Sequence, residues 1–352
     1  MASTSALIVI DGAQGEGGGA LLRTALVMSA LTQQALRIDN LRGATRHPSL
    51  DAEDLTLIRA LATCCKAEVT GGEIGATSVT FLPTQRPRNL NVKLETIRTE
   101  TGRGPNAPVI LNALLPVLAR TGAYSSVVLE GETYGFNCLS YDYFANVTLE
   151  AFKKAGIYAT PDLLRAGYGR ESQGEVALDI EPSAIQGIEW TDRGPLRSVR
   201  GIVATCGLPK VVADRAAAYV KNLGLNVGLQ VQVETIEHAG RQQGAFVTVW
   251  ARYDRGIGGG TAMGTRGLRA ETLAQAAFEQ AFEWMSSNAT VDSFLADQLL
   301  LPLVLAEGSS VFSVPKLTQR LLTSISVVKQ FIPLHLTVRG IENGPGTISI
   351  QK

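Results

Sequence analysis

Asp11-Gly12-Ala13-Gln14-Gly15-Glu16-Gly17-Gly18-Gly19 is the stretch from which the fold of this chain is read. It follows an apolar run, Ala6–Ile10, with the length of a buried strand, and precedes Ala20–Leu31, whose composition predicts a helix. Glycines permit left-handed backbone and close approach of a ligand. The helix N-terminus beyond them offers free N–H groups that favour an anion. Glu16, inside the turn, suits holding a metal beside a phosphate. No Lys-Ser/Thr follows, so the stretch is not a Walker loop, and Gly15–Gly19 lacks the full G-x-G-x-x-G dinucleotide pattern. The same glycines would also serve a plain strand-to-helix connection.

Working outward, the chain reads as a recurring strand–helix–strand–helix–strand–strand unit. The first copy has strands at Ala6–Ile10, Ala35–Asp39, Glu68–Thr70 and Ser78–Leu82, and helices at Ala20–Leu31 and Asp51–Cys65. The second begins near Leu90, with helices at Pro105–Arg120 and Ser140–Ala155 and strands at Tyr124–Glu130 and Gly174–Ile180. The third is interrupted. Strand Leu196–Cys206, helix Pro209–Leu223 and strands Gly228–Glu237 and Gly244–Tyr253 read as a smaller inserted α/β domain over 181–257, leaving 1–180 and 258–352 as the large domain. Gly256–Thr261 reads as a flexible, glycine-rich loop. Helices at Leu268–Ser287, Ser293–Ala306 (capped by Asp292) and Leu317–Phe331, with strands at Val311–Val314, Leu334–Val338 and Thr347–Ile350, complete the copy. The expected fold is α/β: three βαβαββ units around a pseudo-threefold axis, plus the insert.

The glycine stretch with Leu21, Leu22 and Arg23 resembles the opening motif of the RNA 3'-terminal phosphate cyclase family. Phe294-Leu295-Ala296-Asp297-Gln298-Leu299-Leu300-Leu301-Pro302 is similar to the family's ATP-binding segment, and Thr318 with Leu321-Leu322-Thr323 to its nucleophile segment. Weaker similarity at Arg193-Gly194, Arg200-Gly201 and Ala270-Glu271 keeps the order along nearly the whole chain. The resemblance implies ATP-dependent conversion of an RNA 3'-phosphate into a 2',3'-cyclic phosphate, through a histidine that attacks ATP and carries AMP. It implies nucleotide binding by Gly15, Gly17, Gly18, Arg23, Asn112 and Phe294–Gln298, a Mg or Mn ion at Glu16, and substrate phosphate binding by Arg42, Arg46 and His47.

The implied histidine lies two residues after a threonine, and here that position is Arg320. Arginine stays protonated and has no lone pair with which to attack phosphorus. It could hold a phosphate through a bidentate fork, or lie on a solvated helix face. His47, His238 and His335 are the only histidines, none at the family spacing, and each reads as a surface residue, His238 at a hairpin end. The family's basic first substrate loop is here Leu50-Asp51-Ala52-Glu53-Asp54-Leu55. Its carboxylates should repel a polyanion. They read either as acid–base or metal groups, or as a solvated first helical turn favoured by the macrodipole. The same departures fit a non-catalytic relative that binds RNA or a protein partner; a ribosome-biogenesis branch of the family also lacks the histidine. A changed reaction on another phosphate substrate is the further alternative.

Composition narrows the classes. Thirty-two basic and 32 acidic residues give zero net charge over 352 residues, so RNA binding must use a local patch rather than the bulk field. Arg42, Arg46 and Arg320 form one such candidate; Arg255, Arg266 and Arg269 form another. Four cysteines without a C-x-x-C pair suggest neither zinc nor a redox motif and fit a reducing cytoplasm. No signal peptide pattern and no apolar run of membrane-spanning length is visible.

Overall fold

The computed structural model describes residues 7–240 and 242–351. Ala6, expected to open the first strand, lies outside them. The first sheet is built from β1 (Ile8–Asp11), β2 (Leu36–Asp39), β3 (Glu68–Thr70) and β4 (Val79–Leu82), in the order β1-β2-β4-β3. β1 runs parallel to β2, and β4 is antiparallel to both of its neighbours. Helices α1 (Gly19–Thr32) and α2 (Ala52–Cys65) connect the strands. α2 starts with a capping box: Asp51 accepts from Asp54 N, and the Asp54 side chain accepts from Asp51 N.

The second sheet repeats that order. β5 (Asn91–Lys93), β6 (Ser125–Gly131), β7 (Ala159–Arg165) and β8 (Gly174–Ile180) run β5-β6-β8-β7, with β5 parallel to β6 and the other pairs antiparallel. α3 (Ala107–Ala119) is capped by Asn106, whose side chain accepts from Val109 N. α4 (Tyr141–Tyr143) passes through a π turn (Phe144–Thr148) into α5 (Leu149–Lys154). The strands β5 and β7 have no counterpart in the sequence reading. β5 is three exposed residues, and β7 carries Pro161 with no clean alternation.

A separate four-stranded sheet follows, ordered β10-β9-β11-β12, from β9 (Leu196–Cys206), β10 (Val231–His238), β11 (Gly244–Tyr253) and β12 (Gly256–Met263). Helices α6 (Lys210–Asn226) and α7 (Ala270–Met285) cover it. It has its own hydrophobic core, rich in alanine and closed by Phe278 and Trp284. Two expectations are corrected here. The glycines of 256–261 form the edge strand β12, paired antiparallel with β11, not a flexible loop. They are glycines because backbones crowd them: a Cβ on Gly259 would lie 2.5 Å from Val249 O, and one on Gly260 2.4 Å from Ala277 O. β10 pairs in parallel with β9, while β11 lies on the far side of β9, so His238 does not end a hairpin. Because β12 and α7 belong to this sheet and core, the inserted unit continues beyond residue 257.

The chain then returns through α8 (Ser293–Leu305), β13 (Ser310–Val314), α9 (Gln319–Phe331), β14 (His335–Gly340) and β15 (Gly346–Gln351). These strands form a sheet ordered β13-β15-β14. Residues ahead of the insert complete its edge, since Gln186 and Glu189 bridge in parallel to Glu307 and Val311. One hydrophobic core joins the first, second and last sheets with α1, α3, α8 and α9. α1 is buried on almost every side because α2, α3 and α9 all pack on it.

Candidate functional site

The glycine turn docks onto α9. Gly15 and Gly17 adopt φ of 61° and 59°, conformations that L side chains rarely take. A Cβ on Gly15 would sit 2.1 Å from Thr323 Oγ1, the atom that accepts a hydrogen bond from Glu16 N (3.1 Å). Gly18 is the N-cap of α1, and no side chain caps the first N–H groups of the helix. At Gly19 a Cβ would meet Arg23 Nη1 and Arg42 Nη2, each at 2.9 Å. The turn thus holds Glu16 in place and admits two guanidiniums beside the helix N-terminus.

Arg320 is the second residue of α9, behind the N-cap Thr318. Its side chain is partly exposed but does not stand free. Its Nε donates to Glu16 Oε2 (3.0 Å) and its Nη2 to Glu16 Oε1 (2.9 Å), a bidentate pair between residues 304 apart in sequence. Asp297 Oδ2 lies 3.9 Å from Arg320 Nε, and Thr318 Oγ1 donates to Asp297 Oδ1 (3.3 Å). The hydrogen bond to Glu16 raises the Arg320 pKa despite its burial. Burial lifts Asp297 to about 7, the Glu16 charge adding to the shift and Arg320 opposing it.

The other guanidiniums near the turn are paired as well. Arg23 Nη1 donates to Glu53 Oε1 (3.1 Å). Arg42 forks onto Asp54, with Nε to Oδ2 at 2.6 Å and Nη2 to Oδ1 at 2.9 Å, and reaches Asp51 Oδ2 at 3.0 Å. Arg170 lies 3.8 Å from both Asp51 and Glu53. The solvated first turn expected for α2 is therefore wrong: Glu53 and Asp54 are 5% and 1% exposed. Burial, with the Asp51 charge adding, lifts Asp54 to about 6, against the Arg42 fork that favours its ionised form. Glu53 also accepts from Asn106 N (3.1 Å), tying this network to the start of α3.

Several of these groups line a cleft of about 240 Å³ between α1, α3, α8 and α9. It gathers Glu16, Arg23, Arg42, Asn112, Phe294, Asp297, Gln298 and Arg320, eight of the residues expected from the sequence. Gly15, Gly17 and Gly18 shape its rim without lining it. Leu295 and Ala296 are fully buried core residues of α8, with no face on the cleft. Arg46 and His47 are exposed and do not line the cleft. His335 is exposed on β14, whereas His238 is half-buried, with Nε2 3.3 Å from Tyr134 Oη and its pKa lowered by burial. Its surface expectation is corrected: the inserted sheet carries it onto Tyr134. No histidine lines the cleft. The sequence reading missed Arg170 and Cys138 as lining residues. Neither segment signals a place in the cleft by itself, and the packing of the second sheet's elements against the first brings both residues in.

Gln298 is satisfied internally, accepting from Thr148 Oγ1 (2.6 Å) and donating to Phe294 O (3.1 Å). Asn112 Oδ1 is different: it is buried with no hydrogen-bond partner. Unpaired buried acceptors are costly, and a ligand donor is one way to satisfy them. Among the described residues, no group of three or more His, Cys, Asp or Glu side chains is arranged to hold a metal ion. No helix among them is long and apolar enough to cross a membrane.

A glycine turn docked on α9, over a cleft walled by α1, α3, α8 and α9 of a mixed α/β fold, marks the class. The chain matches the family of RNA 3'-terminal phosphate cyclases over residues 14–338 and belongs to it. The RNA 3'-terminal phosphate cyclase of Gloeothece citriformis is 34% identical over 346 residues, 97% of this chain and 99% of the relative. That of Methylococcus capsulatus is 33% identical over 98% of this chain and 96% of its own. That of Methanopyrus kandleri is 33% identical over 98% of this chain and 99% of its own.

Proposed function

We propose that this chain binds ATP and a phosphorylated RNA 3' end in the cleft without forming a covalent nucleotidyl–histidine intermediate. The observation that carries this reading is the Glu16–Arg320 pair: a guanidinium, locked to a carboxylate, occupies the position from which family members are expected to attack ATP. A guanidinium offers no nucleophilic lone pair at working pH. No histidine lines the cleft to replace it.

The residues fit a nucleotide. Val109, Ala113, Pro116 and Leu301 give one wall an apolar face for a base, and the unpartnered Asn112 Oδ1 can accept from its exocyclic amine. The N-terminus of α1, Arg23 and Arg42 would hold phosphates. Bound ATP would supply an activated phosphate; the chain's own groups bind and orient it. A resident Mg or Mn at Glu16 fits poorly, because Arg320 already occupies the space facing the carboxylate.

Two measurements test this together. ATP in hundredfold excess over its dissociation constant should stabilise the fold by about 2.7 kcal/mol, seen as a rise in thermal midpoint. Incubation with α-labelled ATP and Mg²⁺ or Mn²⁺ should leave the protein unlabelled and RNA ends uncyclised. A labelled protein or cyclised ends would overturn the reading.

A further inference from the structure

A second cavity, about 710 Å³, opens beside the cleft between the loop before α4 and the inserted unit's β12 and α7. Its size falls within the range of small-molecule sites. It shares Asn137, Cys138, Phe294 and Arg320 with the cleft, so the two are continuous. Among the described residues that line it, Arg320, at the cleft end, is the one charged side chain, and none is an aspartate or glutamate. Its polar groups are neutral, among them Thr261, Thr272 and Gln280. Phe136 stands at the rim 68% exposed, the most exposed phenylalanine in the described structure.

We propose that this groove seats the 3'-terminal nucleobase of a single-stranded RNA whose terminal phosphate meets Arg320. The inference rests on the RNA-end reading and extends it to a base-binding site shared between the large body and the insert. A nucleobase is planar, uncharged and rimmed by hydrogen-bond donors and acceptors. It matches an exposed aromatic ring for stacking and neutral hydroxyl and amide groups for its edges. An acidic peptide would find one cation and a basic peptide no anion. The ribose links base and phosphate, and the two cavities are linked at Arg320 in the same sense. A lining neutral apart from Arg320 reads bases by stacking and shape, which implies weak preference among the four bases.

The test uses the full chain and two 3'-phosphorylated single-stranded RNAs, identical except that one carries an abasic 3'-terminal nucleotide. Fluorescence anisotropy should show roughly tenfold tighter binding of the base-bearing RNA, the scale of one stacked base. Phe136→Ala should remove that advantage while leaving the ATP-induced rise in thermal midpoint unchanged. Because Phe136 is exposed, the substitution leaves the core intact. Equal affinity for the two RNAs, or an advantage that survives Phe136→Ala, overturns the groove assignment alone when ATP still stabilises the protein. Failure to bind either RNA and ATP overturns both this site and the reading of the cleft.

Discussion

The cleft over the glycine turn and the groove beside β12 share Phe294 and Arg320, yet they solve opposite electrostatic problems. In the cleft, guanidiniums face carboxylates at every step: Arg23 with Glu53, Arg42 with Asp54 and Asp51, Arg320 with Glu16. In the groove the lining is neutral apart from Arg320. A phosphate entering the cleft must exchange with an internal carboxylate, so its gain is the difference between two ion pairs. A base entering the groove would meet no such ion pairs. On these readings the cleft would discriminate by charge geometry, and the groove by shape and stacking.

The largest expected change lies at the junction of the two. Arg320→His removes the fork on Glu16 and puts an imidazole in the first turn of α9. There the helix dipole favours its neutral, nucleophilic form. Incubation with α-labelled ATP should then yield labelled protein where the parent chain yields none. If the histidine variant stays unlabelled, residue 320 is not what withholds the chemistry, and the remaining ion pairs of the cleft are.

A smaller effect separates the two linings by stability. Asp54→Ala strips the buried Arg42 fork and half of the α2 capping box. Removing one partner of a buried pair should cost about 3–5 kcal/mol in denaturant unfolding. Thr272→Ala in the groove should stay within about 0.5 kcal/mol, as an exposed substitution away from such features. Equal costs would mean that the contrast between the linings has no energetic content.

The smallest effect is on pH dependence. Burial pushes Asp297 in the cleft and Asp142 behind the groove up to about 7 from the ordinary 3.8. For Asp142 the Glu234 charge adds to burial, and the Tyr134 hydroxyl opposes it. Between those values the folded chain holds protons that the unfolded chain has released. These groups therefore make stability fall as pH rises from about 4 through about 7, and their effect levels off above. Thermal midpoints from about pH 5 to about pH 8 should show this fall, and Asp142→Asn should reduce it. An unchanged slope in that variant would show that Asp142 does not carry its share.

Several residues of the candidate cleft were legible because their signals are local. Glycines before an apolar helix mark a tight turn, and Gly15 and Gly17 do adopt positive φ there. Asp292 ahead of Ser293 reads as a cap, and it does accept from Phe294 N and Leu295 N (both 2.8 Å). Other signals were ambiguous for a physical reason. Acidic residues in a first helical turn look the same whether solvated or buried, since the partners of Glu53 and Asp54 come from a different helix and a preceding loop. A run of glycines looks the same whether it is mobile or squeezed between backbones, as in β12.

Most of the helices and the longer strands, the glycine turn ahead of α1, the overall charge neutrality and the presence of arginine at position 320 were set by the sequence alone. Those properties depend on neighbours a few residues apart or on simple counting. What Arg320 does was decided only by tertiary structure. Its partner lies 304 positions away, and the two meet because the glycine turn, lacking side chains at its tightest points, packs directly against α9. The neutral groove likewise exists only where the inserted sheet comes against the body, a juxtaposition that depends on burial between distant segments.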